Sequence, residues 1–215
     1  MPRFDAWVIA FARATALGHP MWLAAMRIVT VGGGMSVLDP LVALGCLVLL
    51  VRGRWRPAAF VAVAMTVTVA VRLVVVAVIA RPRPSGQLAP ASNYSFPSGH
   101  STASAAAALI LVLVCWPLLR RRWSRAMLAA VAAVWAVAVG VSRVALVVHW
   151  PTDVLGAWLY VLRCGGVHLG HHVAGNSFRH QALSAPRQGR FSGRIKLPLD
   201  GDPPPDGRHA IGERR

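Results

Sequence analysis

Between residues 20 and 167 the chain has two histidines, His100 and His149, and each sits in a short polar motif able to do chemistry. His149 precedes Asp153 by four residues, a spacing that on one helix puts imidazole and carboxylate on the same face. A carboxylate that accepts the ring N–H fixes the tautomer and raises the basicity of the other nitrogen. Shortly before this pair comes Ser142-Arg143, and far upstream lie Arg81-Pro82-Arg83-Pro84 and Pro97-Ser98-Gly99-His100. Ser98 is a good helix cap, and the free N–H groups after it form an anion site that Gly99 lets a phosphate approach closely. Arg81, Arg83 and Arg143 carry guanidinium forks that match phosphate oxygens. An anion cradle, a polarised histidine and a second histidine are equipment for phosphoryl transfer through a histidine.

The elements that must position these groups are apolar. The chain of 215 residues has a formal charge of +16, yet 56% of it is hydrophobic and only 14% charged. A soluble nucleic-acid binder of this charge would be charge-rich, so nucleic acid is excluded as a partner. A helix needs roughly 20 apolar residues to cross a bilayer core. Residues 35–51 (broken by Asp39), 57–80 (broken by Arg72), 102–119 and 126–148 (broken by Arg143) meet or approach that length. A fifth apolar segment starts at His149 and fades at Leu162. The fold class is therefore all-α, a multi-pass transmembrane helical bundle.

Orientation follows from the loops. Arg52, Arg54 and Arg56 occupy one short loop and Arg120, Arg121, Arg122 and Arg125 another, with two crossings between them. Short basic loops mark the cytoplasmic side. Residues 81–101 and the stretch 143–149 then face the extracytoplasmic side of the plasma membrane.

The chain divides into an amphipathic or re-entrant N-terminal segment (1–34), a transmembrane domain (35–162) and a disordered basic tail (163–215). Residues 6–31 are interrupted by Arg13, His19, Pro20 and Arg27 and do not read as a signal peptide. The 13 residues from Trp150 to Leu162 cover only about 20 Å of helix. A non-native ending, as after a reading-frame shift, or a short helix with a re-entrant continuation would account for that. The cysteines Cys46, Cys115 and Cys164 have neither paired nor metal-ligand spacing, and no metal site or cofactor is expected.

The blocks Pro97-Ser98-Gly99-His100 and Ser142-Arg143, five residues, His149, three residues, Asp153 make the sequence resemble the type 2 phosphatidic acid phosphatase family at every fixed position of both. The resemblance covers about residues 36–162. It implies a metal-free phosphatase in which His149, oriented by Asp153, attacks phosphorus to form a phosphohistidine. His100 protonates the leaving oxygen and then activates water, while Arg83, Ser98, Gly99 and Arg143 hold the phosphoryl oxygens, with Arg81 a weaker candidate. The implied substrate is a lipid phosphate or polyprenyl diphosphate taken from the surrounding membrane lipids.

The family's first block, Lys, six residues, Arg-Pro, is broken. Its lysine falls at Val76 or Val74, depending on which Arg-Pro pair is aligned. Arg72 lies one turn before Val76, but a helical side chain leans toward the N-terminus, here away from the site. Three outcomes follow: Arg72 replaces the lysine, Arg72 pairs with Asp39, or the enzyme is weakened. The alternative to an enzyme is a non-catalytic lipid-phosphate-binding relic. A soluble vanadate-binding peroxidase of the same superfamily does not fit the apolar spans.

Overall fold

The computed structural model describes residues 3–164, all within the unit Met1–Ala174. The expected basic tail, apart from Arg163 and Cys164, lies outside the described residues. Six α-helices follow one another: α1 (Arg3–Gly18), α2 (Pro20–Val31), α3 (Met35–Val51), α4 (Trp55–Ile79), α5 (Gly99–Cys115) and α6 (Arg122–Ala145). A 3₁₀ turn, Trp116–Leu118, extends α5, and residues 151–164 form a further helix, α7. No strand occurs among the described residues.

Among the described residues, four segments are long and apolar enough to cross a membrane: Pro20–Val51, Trp55–Ile79, Gly99–Leu118 and Arg122–Ala145. Three agree with the sequence expectation to within a few residues. The first begins earlier, because α2 is apolar despite Arg27 and runs into α3 through Gly32–Gly34. The boundary expected at residue 34 falls inside that span. Gly33 is needed at this joint, since a Cβ there would collide with the Val139 side chain on α6.

Packing is built from small residues. Ala103, Ala106 and Ala108 of α5 are buried, as are Ala132 and Ala136 of α6. Small side chains let transmembrane backbones approach and gain dispersion contacts that lipid cannot replace. Val61 and Met65 of α4, Ala106 and Ile110 of α5, and Val161 of α7 form a second cluster. Outward, Leu44, Leu47, Val63, Val67, Val74, Val131 and Val134 are exposed, which suits a surface bathed in lipid.

The ends of these helices set up the site. α4 runs toward it and stops at Ala80, whose left-handed φ of 45° turns the chain into the polar segment 80–98. α5 starts from there at its Ser98 cap. α6 returns to the same end and stops at Ala145. Val147, a β-branched residue with φ 58°, then reverses the chain toward α7. The backbone strain at such a position is on the order of 1–3 kcal/mol. It is held by Val148 N–H donating to Arg143 O (3.1 Å) and Leu88 N–H donating to Leu146 O (3.0 Å). The basic turns at residues 52–54 and 119–121 lie at the other end of α4, α5 and α6.

Candidate active site

His149 stands in the reversal between α6 and α7, not inside a helix. The helix begins only at Pro151, a residue suited to a first helical position because its missing N–H is not needed there. The expected same-face pair on one helix is therefore replaced by a loop histidine above the first turn of α7. Asp153 Oδ2 accepts the Trp150 N–H at 2.9 Å and lies 3.4 Å from His149 Nδ1. The shorter contact of Nδ1 is Ser95 O, at 2.8 Å.

These contacts fix the ring's protonation. Ser95 O can only accept, so Nδ1 carries the hydrogen. Arg83 can only donate, and its Nη1 lies 3.0 Å from Nε2. The neutral imidazole thus presents a bare Nε2 toward Arg83 and the cavity. Burial pushes the His149 pKa down, and Arg83 and Arg143 push it further against the pull of Asp153, to about 4. The ring is uncharged at neutral pH.

The cavity measures about 280 Å³ and is lined by Arg72, Arg83, Gly99, His100, Arg143 and His149 among others. Arg83 is fixed by carbonyls: Nε donates to Asn93 O (2.8 Å), Nη2 to Ser92 O (2.7 Å) and Nη1 to Val148 O (2.7 Å). Burial lowers its pKa from the usual guanidinium value, partly offset by Asp153, and at neutral pH it is a cation. Arg143 is buried, and its Nη1 donates to Thr30 Oγ1 on α2 at 2.7 Å. Its Nε is buried with no partner among the described residues, which leaves a donor for a ligand oxygen. His100, in the first turn of α5, lines the cavity beside Gly34 of the α2–α3 joint.

Two expected phosphate ligands lie elsewhere. Ser98 is fully buried, and its Oγ accepts from Ser101 Oγ (3.0 Å) and Ser101 N–H (3.5 Å); it caps α5 and does not line the cavity. Its neighbour Gly99 does line it. Arg81 points away: Nη1 donates to Asp153 Oδ1 (2.6 Å) and Thr152 Oγ1 (2.7 Å), and Nη2 to Asp5 Oδ2 (2.7 Å). Pro-flanked chain favours a conformation with 3 residues per turn, in which side chains two apart diverge. Arg81 and Arg83 each precede a proline, and the backbone sends them to different partners.

Arg72 resolves differently from the helix-direction argument. Its guanidinium reaches the cavity and packs on Gly99, where an added Cβ would lie 2.9 Å from Cζ. Nε donates a long hydrogen bond to Pro97 O (3.4 Å), and no ion pair joins it to Asp39 among the described residues. The side chain is long enough to overcome the lean of its Cα–Cβ bond. Val76, at the lysine position, is buried.

Asp5 was not singled out as a site residue by sequence reasoning. It is fully buried, and besides Arg81 it accepts Thr152 Oγ1–H at 2.6 Å and Thr152 N–H at 3.2 Å. Its partners lie 76 and 147 residues away, beyond any local pattern. The available signal was scarcity, since Asp5, Asp39 and Asp153 are the three acids before residue 160.

Comparison with known proteins places the chain in a family. The PAP2 superfamily model matches residues 57–169. Phosphatidylglycerophosphatase B of Bacillus subtilis is 34% identical over 154 residues, covering 69% of this chain and 75% of that one. The Escherichia coli K12 protein of the same name is 41% identical over 68 residues, only 25% of its length. The crystal structure of a transmembrane PAP2-type phosphatidylglycerolphosphate phosphatase from Bacillus subtilis superposes with a TM-score of 0.70 at 29% identity, covering 81% of this chain and 88% of that one. With both histidine motifs gathered around one cation-lined cavity at the ends of apolar helices, and with these matches, the chain belongs to the PAP2 superfamily and is a multi-pass membrane phosphatase.

Proposed function

We propose that the protein hydrolyses a lipid phosphate monoester through a phosphohistidine at His149, at the extracytoplasmic face of the plasma membrane. The observation that carries this reading is the protonation geometry of His149: Nδ1–H is held by Ser95 O, and bare Nε2 faces the cavity beside Arg83. Nε2 forms a bond to phosphorus as the ester P–O bond breaks, and His100 gives its proton to the leaving oxygen. Asp153 offsets the charge that develops on the ring. A water then attacks phosphorus, His100 takes its proton, and the N–P bond breaks to release phosphate.

Cations surround the phosphoryl group throughout. The Arg83 N–H now aimed at Nε2 turns to a phosphoryl oxygen, and the free Nε–H of Arg143 reaches another. The Gly99 and His100 N–H groups, in the first turn of α5, have no intrahelical acceptor and add an anion-binding helix end. Such donors stabilise charge best in a site poor in water. Arg72 supplies the cation that the first block lacks, which supports an enzyme over a non-catalytic relic.

The relatives named phosphatidylglycerophosphatase B make phosphatidylglycerol phosphate the first substrate to test, with phosphatidate and polyprenyl diphosphate beside it. Purified protein in detergent, with a chelator present, should release phosphate from that lipid and form an acid-labile, alkali-stable phosphoenzyme. Release without a trappable phosphoenzyme in wild type or in His100→Ala would overturn the covalent route. For orientation, Ser85→Cys should react with an impermeant thiol reagent applied outside cells and Arg52→Cys should not, in a background with the native cysteines replaced. The reverse pattern puts the site in the cytoplasm.

A further inference from the structure

Arg81 bridges two buried carboxylates, Asp153 behind the active-site histidine and Asp5 on the N-terminal helix α1. We propose that Asp5 is a positioning residue of the active site: it takes up half of the Arg81 charge, so that Asp153 keeps enough negative charge to support His149 during attack. This rests on the phosphohistidine reading above.

Charge counting carries the argument. With Asp5, the group Asp5, Arg81 and Asp153 has a net charge of −1. Without it, Arg81 and Asp153 cancel, and the positive ring formed at His149 loses its counter-charge. Other charges facing His149 are cationic or neutral: Arg83 from the 80–98 segment, Arg143 from α6 and His100 from α5, with Arg72 of α4 lining the same cavity. The acid side of this cluster is therefore small, and one carboxylate matters. Burial pushes the Asp5 carboxyl up, but hydrogen bonds from Thr152 and Arg81 outweigh it and hold it below its ordinary value, so it is ionised.

The geometry adds a mechanical link. Thr152, next to Asp153 in the first turn of α7, donates to Asp5 through both its hydroxyl and its backbone N–H. α1 is thereby fastened to the turn that carries the carboxylate. Because Asp5 acts through Arg81 and never faces the cavity, its effect belongs to turnover and to the ionisation of His149, not to substrate affinity.

The test is the pH profile of lipid phosphate hydrolysis by the full-length protein in detergent, compared for wild type, Asp5→Asn and Arg81→Gln. Asp5→Asn should lower kcat on the order of tenfold, which corresponds to about 1.4 kcal/mol less support for the charged ring, with KM nearly unchanged. The acid limb of kcat/KM should move to lower pH. Arg81→Gln exposes Asp153 to no bridging cation and should move that limb to higher pH. Opposite shifts distinguish charge balance from a structural role, because misfolding changes the amount of active enzyme and not the position of the limb. Unchanged kcat and limb in Asp5→Asn, or shifts in the same direction in both variants, would overturn the proposal. If Asp5→Asn does not fold, the direction in Arg81→Gln decides, with no shift or a downward one counting against it. A wild type that shows no phosphoenzyme defeats the underlying reading instead.

Discussion

Arg81 and Arg83 sit two residues apart, each followed by a proline, and the molecule sets them to opposite tasks. Arg83 is held by three carbonyl oxygens, which carry no full charge, so its own charge remains available to a phosphoryl group. Arg81 is held by two carboxylates, and its charge is consumed. His149 lies between the two sides, with Nε2 toward the Arg83 cavity and Nδ1 toward the buried side where Asp153 lies. A guanidinium is thus made into a ligand or into a strut by what it donates to, and residue type alone does not distinguish the two. The cavity side should govern phosphate affinity and chemistry together, and the buried side chemistry alone.

The largest effect that follows is at the boundary. His149→Ala should abolish turnover, since of the two histidines lining the cavity only His149 has its other ring nitrogen held by a backbone carbonyl and backed by a carboxylate. His100→Ala should let the first step proceed slowly and trap the phosphoenzyme. Quench-flow with radiolabelled lipid phosphate checks both, and near-normal turnover in His149→Ala would end the contrast between the two sides.

Arg83→Lys comes next. An ammonium cannot reproduce the fork that donates to Asn93 O, Ser92 O, Val148 O and Nε2 at once. Loss of one oxyanion donor is worth about 10²–10³ in rate, and kcat and KM should both suffer. Were KM to stay fixed here, the cavity side would not be the phosphate side.

How much of this contrast was readable beforehand depends on reach along the chain. The apolar spans, the Ser98 cap and both histidine blocks are written in short patterns, because helix length, capping and motif spacing are local physics. In the sequence, Arg27 and Pro20 mask the apolar α2, so the first span starts at residue 35 by pattern alone, whereas in the structure α2 joins α3 across Gly33. The task of Arg81 was hidden because its partner Asp5 is 76 residues away. The reversal at Val147 was hidden too, since a β-branched residue is the last choice for a positive φ. Of the three outcomes the sequence leaves open for Arg72, the Cβ direction favours those away from the cavity, whereas the length of the side chain brings its guanidinium to the cavity wall.

The buried environment of His149 gives a pH prediction of intermediate size. Its pKa is about 4 in the folded protein against an ordinary value near 6.5. As pH falls below that ordinary value the unfolded chain takes up the proton first, so stability is lost as pH drops from about 6.5 toward 4. Protonation of the folded protein's His149, the proposed nucleophile, is in contrast delayed. The expected result is a Tm that declines over this window more in wild type than in His149→Gln, while the acid limb of kcat/KM from His149 stays below pH 6. A limb at the ordinary histidine value would mean that the cavity is wetter and less cationic than its lining implies.

The smallest effect sharpens the cavity side itself, because it asks whether Arg72 is part of the cradle or only its wall. Removing a charge-assisted hydrogen bond to phosphate costs about 1.5–3 kcal/mol, which is roughly tenfold or more in rate. Arg72→Ala should therefore cut kcat/KM by about that much. Gly99→Ala offers the same question in a subtler form. Its methyl would fall 2.9 Å from the Arg72 guanidinium, the movable end of a flexible side chain, so the arginine should swing aside at small structural cost. Gly99→Ala should lower kcat/KM severalfold, by less than tenfold, and should have almost no further effect in the Arg72→Ala background. Additive losses would instead mean that the methyl blocks phosphate from the α5 N–H groups directly. Val76→Lys completes the comparison. With Arg72 in place a second ammonium meets like charge and should be neutral or harmful, whereas in Arg72→Ala it should restore part of the lost rate. A rise of similar size in the wild-type and Arg72→Ala backgrounds would show that the cradle lacks a cation at the lysine position and that Arg72 does not fill it.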